Sequence, residues 1–125
     1  MMKETSDIGL DHFLDLSGDY GAKALAPIQE HFPELAEYIL GVAYGDIFQT
    51  KSISPEWREV CLISSLITMG QYEQLGVHYA MALKVGMTVD QIKGILLHLV
   101  PAIGEPKVIS AFNVLLATLK DLQKA

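Results

Sequence analysis

Apolar residues recur every three to four positions along most of this chain, and no segment alternates between apolar and polar residues as a β-strand does. The pattern predicts an all-α fold, a compact helical domain of about six to seven helices. We expect residues 1–125 to form a single domain, because the chain has the length of one domain and contains no linker or low-complexity segment.

Glycine, proline and capping residues divide this pattern into helices. In the first half, a first helix should end at Gly18, and Pro27 should split the next segment into two short pieces. A further helix should run from Pro33 to Gly45, followed by an irregular connection over residues 45–53. The second half contains four predicted helices. The first has Ser54 as its N-cap and ends at Gly70, and the second runs from Tyr72 to Val85. The third begins at a Thr88–Gln91 capping box and is limited by Pro101, and the fourth runs from Val108 to Lys124.

Glu59 occupies the position at which the helix after Ser54 should be most apolar. At about 100° per residue, five apolar side chains fall within about 80° of it: Leu62, Ile63, Leu66, Ile67 and Met69. Burial of an unpaired carboxylate costs several kcal/mol, so Glu59 must be hydrogen-bonded, paired or protonated. A structural role, as an ion pair with Arg58 of a neighbouring subunit or as a backbone cap, is one interpretation, and a functional acid is the other.

His78 lies at the edge of the apolar stripe of the following helix, and we expect it to be partly buried. A tight turn around Gly70 predicts that the two helices pack antiparallel and form the central pair of the fold. Glu59 precedes Gly70 by eleven residues and His78 follows it by eight, so their depths differ by about 5 Å. We therefore predict contact between Glu59 and His78, either as a functional pair or as two satisfied core residues.

The remaining candidates carry weaker signals. His98 lies at the edge of its helix, where it is either structural or directed at a neighbouring subunit, and His12 and His31 have no evident partner. We expect Cys61 to be a small buried hydrophobic residue. No histidine, carboxylate or cysteine spacing matches a metal motif, and no glycine-rich phosphate loop is present, so neither a metal nor a cofactor is predicted.

Composition and charge limit the kinds of binding partner and the cellular compartment that we expect. Half of the residues are hydrophobic and 19% are charged, which favours a homo-oligomer with apolar contacts. The net charge of −6 and the lack of a basic run disfavour nucleic acid and anionic membranes. The single cysteine suits a reducing compartment, and neither a signal peptide nor a membrane-spanning apolar run is evident, so we expect a cytoplasmic protein.

With these motifs in place, the sequence resembles the carboxymuconolactone decarboxylase family, which includes the alkyl hydroperoxidase D-like proteins. The resemblance covers roughly residues 32–120 and depends on the order of several segments. It implies an alkyl hydroperoxidase D-like helical fold that assembles as a trimer or hexamer, with sites near subunit contacts. The segments that carry it are "FPELAEYILGVAYGDIF", "SPEWREV", "MGQYEQLGVHYAMALKVGMT", "DQIKGILLHL" and "GEP".

The resemblance implies two possible chemistries. Peroxidase members of the family carry a Cys-x-x-Cys pair between a glutamate and a histidine that correspond to Glu59 and His78. Here the two thiol positions correspond to Gln71 and Gln74, so the peroxiredoxin-type antioxidant function is disfavoured. A third possibility is a non-catalytic oligomeric binding protein.

The decarboxylase branch needs neither thiol nor cofactor, and is the function that the resemblance favours. Such an enzyme is a lyase that releases carbon dioxide from 4-carboxymuconolactone, a small carboxylated lactone, or from a related acid. By resemblance, His78 is the catalytic acid and Glu59 orients it, while Arg58, Gln74 and His98 are candidates for binding a small carboxylate substrate. The chain departs from the family pattern at three positions near the expected site: Gly94, Ala102 and Glu105.

Overall fold

The structure, a computed structural model, describes residues 2–123, with side chains from residue 5 onward. All regular structure in this range is helical, which confirms the predicted all-α class. Two compact units are distinguished, Met1–Ile53 and Ser54–Ala125, while the expectation of a single domain stays a prediction. The elements are α1 (Met2–His31), α2 (Pro33–Tyr38), a π-helix (Ile39–Asp46), a 3₁₀ turn (Ile47–Gln49), α3 (Pro55–Met69), α4 (Tyr72–Lys84), α5 (Val89–Ile103) and α6 (Glu105–Gln123).

Helix α1 confirms one predicted boundary and contradicts another. Gly18 interrupts the helix with a φ of 58° and a ψ of −147°, a conformation that glycine adopts without steric cost. Pro27, in contrast, lies inside a continuous helical segment, so the predicted break there is wrong. Proline at this position leaves the Lys23 carbonyl without its intrahelical donor. Because Lys23 and Pro27 are both exposed, water can hydrogen-bond that carbonyl, and the helix continues.

The helical structure of the first unit also extends past Gly45, where the sequence predicted its end. It continues through the π-helix and the 3₁₀ turn, so the irregular connection is much shorter than the predicted segment 45–53. Close backbone packing accompanies this change. A methyl group added at Gly9 would overlap the Leu40 carbonyl oxygen, and one added at Gly45 would overlap the carbonyl oxygen of Thr5. The two glycines therefore allow α1 and the π-helix to touch through their backbones.

Aromatic rings and aliphatic side chains form the interior of the first unit. Tyr44 packs against Phe13 with ring centroids 5.0 Å apart and against Phe48 at 4.4 Å. The edge-to-face geometry of the first pair is one that aromatic side chains favour. The other buried apolar side chains of this unit are Leu16, Leu25, Ala36 and Leu40.

The second unit begins with the helix pair that carries Glu59 and His78, and its local signals act as predicted. The Ser54 hydroxyl accepts a hydrogen bond from the Trp57 backbone N–H at 3.2 Å, and Gly70 ends α3 with a φ of 72°. Helices α3 to α6 surround one apolar core. Its buried members are Ile63, Ile67, Leu75, Tyr79, Ala82, Met87, Ile92, Leu96, Ala111 and Leu115.

Helices α5 and α6 are both longer than predicted. The Thr88–Gln91 capping box is present, but α5 continues through Pro101 to Ile103. The carbonyl that this proline leaves without a donor belongs to Leu97, which is exposed, so water again replaces the lost bond. Helix α6 begins at Glu105 instead of Val108. Pro106 is compatible with this start because the first N–H groups of a helix have no intrahelical acceptor.

Candidate functional site

Glu59 lies on the most buried line of α3. Its side chain has 0% exposure, and so do Ile63 and Ile67, which follow at intervals of one helical turn. The predicted burial of Glu59 is therefore confirmed. Since no water reaches it directly, the carboxylate depends on protein partners for its hydrogen bonds.

The first of these partners is His78, as predicted. Its Nδ1 atom is 2.9 Å from Oε1 of Glu59, a hydrogen bond that joins α3 to α4 across 19 residues of sequence. The His78 side chain is 13% exposed, which confirms that it is partly buried. The contact follows from matched depth: two helices that fold back at Gly70 bring these residues to the same level.

The second partner is Arg58 of the same chain. Its Nε–H donates to Oε2 of Glu59 at 2.9 Å, and the arginine side chain is 14% exposed. The expectation that Arg58 of a neighbouring subunit pairs with Glu59 is therefore replaced by a pair within the chain. Adjacent residues on a helix do not face each other, so residue spacing alone does not suggest this pair. The length of the arginine side chain allows it to bend toward the carboxylate.

These contacts determine which atom of the site can take part in proton transfer. A carboxylate is an acceptor only, so when His78 is neutral its proton sits on Nδ1 and points at Glu59. The lone pair then lies on Nε2, the opposite ring nitrogen. Each Glu59 oxygen has its own donor, one from Arg58 and one from His78. The arrangement can accept a proton at Nε2 and deliver one from the same atom after protonation.

Two predicted substrate-binding residues lie apart from this hydrogen-bonded group. Gln74 is exposed one helical turn before His78 on α4, so it belongs to the same side of that helix without bonding to the pair. His98 is exposed on α5, and its Nδ1 is 2.8 Å from the Gly94 carbonyl oxygen of its own helix. Their proposed role in binding stays a prediction.

Cys61 is exposed, so the prediction that it is a buried hydrophobic residue is wrong. It lies about 200° around α3 from Glu59, on the side opposite the buried line. The same angular count that identified Glu59 as central would have placed this thiol outside. The two glutamines at the thiol positions of peroxidase members, Gln71 and Gln74, are also exposed.

Tyr79, next to His78 in sequence, has a structural role consistent with its core spacing. Its hydroxyl donates to the Ala111 carbonyl oxygen at 2.9 Å and ties α4 to α6. Burial disfavours the charged phenolate and raises the pKa of Tyr79 well above its usual range. The side chain therefore stays neutral near physiological pH and serves as a hydrogen-bond donor.

No group of three or more metal-binding side chains occurs in the part of the chain that the structure describes. The helices within residues 2–123 also include none with the length and apolar character needed to cross a membrane.

The fold and the site define a class of all-helical proteins in which two consecutive helices carry a buried carboxylate bonded to an imidazole. A family model described as the carboxymuconolactone decarboxylase family matches residues 33–117. The chain belongs to this family, which confirms the resemblance, and the matched range contains Arg58, Glu59 and His78. No curated protein matches the chain.

Proposed function

We propose that this protein is a cofactor-free carboxy-lyase that releases carbon dioxide from a small carboxylated lactone or a related acid. The observation that carries the proposal is the hydrogen bond from His78 Nδ1 to a fully buried Glu59, which leaves Nε2 as the nitrogen for a substrate. Family membership supports the same class of reaction. The chain's own residues supply the one proton that such a reaction consumes.

The proposed reaction uses His78 as an acid. The bond between the substrate carboxylate and its ring carbon breaks, carbon dioxide leaves, and the electron pair delocalises toward the lactone carbonyl. The imidazolium form of His78 then donates its Nε2 proton to carbon, and solvent restores that proton.

The residues near α5 bear on which acid is the substrate. Gly94 is partly buried, and a methyl group added there would meet no atom within 4 Å, so the surface beside it is open. Glu105 is exposed and adds a negative charge at the start of α6. We infer a substrate that differs in shape from 4-carboxymuconolactone itself, with Gln74 and His98 as further candidates for contact.

We also propose that the protein forms a homo-oligomer, a trimer or hexamer, in the cytoplasm. Ile109, Phe112 and Leu116 recur at helical spacing on α6 and are exposed, which makes an apolar stripe suited to a second copy of the chain. A reducing compartment suits the exposed thiol of Cys61. Solution scattering that gave a monomer at micromolar concentration would exclude the assembly.

Carbon dioxide release across a panel of carboxylated lactones and 3-oxo acids tests the catalytic proposal. We expect turnover of at least one compound by the wild-type protein, and none by His78→Ala. His31→Ala is the matched control, because His31 is 76% exposed in its side chain and is not part of the pair. A folded wild-type protein without turnover on the whole panel would favour the binding-protein alternative.

A further inference from the structure

We propose that a cleft on the first unit binds a small organic cation, an aliphatic primary amine in its ammonium form. Residues of α1, α2 and the π-helix line the cleft, whose volume is about 470 Å³. Binding pockets for small molecules usually measure about 300–1,000 Å³, so this space is large enough for such a ligand. None of its described lining residues belongs to the pair of Glu59 and His78, so the inference goes beyond the proposed lyase and does not depend on it.

The polar side chains of the cleft include two carboxylates, Asp7 and Glu37, and the amide of Gln29. No lysine, arginine or histidine is among the described residues that line it. Within residues 5–123, none of these three side chains forms a hydrogen bond or an ion pair with the protein. A cleft lined by one sign of charge attracts ligands of the opposite sign. The lining therefore favours a cation, and the amide oxygen of Gln29 adds a further acceptor for its N–H groups.

The floor of the cleft is apolar. Ala36 and Leu40, which line it, are each 4% exposed, and Leu10 is half-buried. Asp7 and Gln29, in contrast, are exposed and lie at the mouth of the cleft. A ligand that fits both parts has an ammonium group near the carboxylates and a hydrocarbon chain over the floor.

A bare metal ion fits this lining less well than an amine does. Ca²⁺ and Mg²⁺ each take about six or more oxygen ligands. The part of the chain that the structure describes contains no group of three or more metal-binding side chains, and the apolar floor offers an ion no ligand. The hydrocarbon chain of an amine, in contrast, would remove that floor from water.

Family membership does not account for the cleft. The matched range begins at residue 33, and Asp7, Leu10 and Gln29 precede it, whereas Glu37 lies within it. The cleft therefore forms where α1, which lies outside the matched range, packs against α2 and the π-helix, which lie inside it. The family description implies no ligand for this site.

Amide NMR of the ¹⁵N-labelled protein, titrated with alkylammonium chlorides at neutral pH and an ionic strength of about 0.15 M, tests the proposal. We expect n-hexylammonium to cause saturable shifts at backbone amides of residues 6–10 and 33–40. The affinity should rise from ethylammonium through n-butylammonium to n-hexylammonium, by roughly four-fold for each methylene that reaches the floor. n-Hexanol and hexanoate, which lack the positive charge, should bind at least about ten-fold more weakly.

Two substitutions, Asp7→Asn and Glu37→Gln, test the carboxylates, because each removes one charge and nearly preserves the side-chain volume. Each should weaken n-hexylammonium binding by about two- to five-fold, and the double variant should bind more weakly than either. Glu34→Gln is the matched control, because Glu34 is an exposed carboxylate on α2 that is not among the lining residues. At this ionic strength, distant charges are largely screened, so Glu34→Gln should lower the affinity less than either cleft variant.

Each result either supports or overturns the proposal. The absence of saturable shifts at the cleft in folded wild-type protein would overturn it, and so would equal affinity for n-hexanol. Asp7→Asn and Glu37→Gln proteins that both lose no more affinity than Glu34→Gln would also overturn it. Circular dichroism checks that the variants are folded, and if they are not, the ligand series on wild type decides. Shifts of the same amides on dilution of the amine-free protein would show that a second copy of the chain occupies the cleft, which contradicts the proposal.

Discussion

Glu59→Gln is the substitution that most directly tests the energetics of the buried pair. The amide has nearly the volume of the carboxylate, so packing on α3 is preserved. Its carbonyl oxygen can still accept from Arg58, and its NH₂ group can donate to Nδ1 of His78. The variant therefore keeps two hydrogen bonds, but the His78 bond becomes neutral and the Arg58 guanidinium loses the opposite charge beside it.

The expected loss of stability follows from these two bonds. Hydrogen bonds to charged groups contribute roughly 1.5–3 kcal/mol and neutral ones about 0.5–1.5 kcal/mol, so the His78 bond loses about 1–1.5 kcal/mol. The Arg58 bond keeps its charged donor, but the mostly buried guanidinium loses its partner charge, and we take a similar loss of about 1–1.5 kcal/mol for it. Both bonds measure 2.9 Å and the carboxylate is fully buried, so solvent does not weaken its electrostatic interactions. We expect Glu59→Gln to lower the free energy of unfolding by about 2–3 kcal/mol. Glu59→Leu, which leaves both donors without an acceptor, should cost about 3–5 kcal/mol.

Urea unfolding at fixed protein concentration measures this loss. With a slope of about 1–3 kcal/mol per molar urea, the Glu59→Gln midpoint should fall by about 1 M or more. Glu73→Gln is the matched control, because Glu73 is exposed on α4, and it should change stability by less than about 0.5 kcal/mol. A Glu59→Gln protein as stable as the control would refute the view that the pair stabilises the fold.

The same variant separates structural from catalytic roles. Because the amide donates to Nδ1, His78 must carry its proton on Nε2, the tautomer opposite to wild type. If the pair only satisfies buried polar groups, activity of the folded fraction should stay unchanged. If His78 transfers protons, turnover should fall in the folded fraction.

Three further predictions concern the rest of the chain. Above about pH 10 the unfolded state loses the Tyr79 proton while the folded state keeps it. The free energy of unfolding of wild type should therefore fall by about 1.4 kcal/mol per pH unit relative to Tyr79→Phe, as measured by urea unfolding from pH 9 upward. Parallel stability-versus-pH curves for the two proteins would contradict this. Gly9→Ala should lower the melting temperature, because its methyl group would overlap the Leu40 carbonyl. Gly94→Ala, whose methyl group would meet open space, should raise it slightly. Equal effects would show that the close packing of the Gly9 and Leu40 backbones is unimportant for stability. Thiol-dependent peroxide reduction should be absent, and activity that disappears in Cys61→Ser would contradict that expectation.

Much of the fold could be predicted because its signals act over a few residues. The Ser54 cap, the left-handed Gly70 and the Thr88–Gln91 box involve contacts within about one helical turn. The prolines were a different case. Whether Pro27 or Pro101 ends a helix depends on whether the carbonyl it leaves without a donor can reach water, and exposure is a property of the folded chain.

The burial of Glu59 and the matching depth of His78 could be predicted from sequence, because helical periodicity and a tight turn are regular geometries. The bond from Arg58 of the same chain to the second carboxylate oxygen and the π-helix of the first unit are evident only in the folded chain. Long side chains have several rotamers, and backbones approach closely only where neighbouring elements allow it. Both outcomes depend on packing between residues that no local pattern relates.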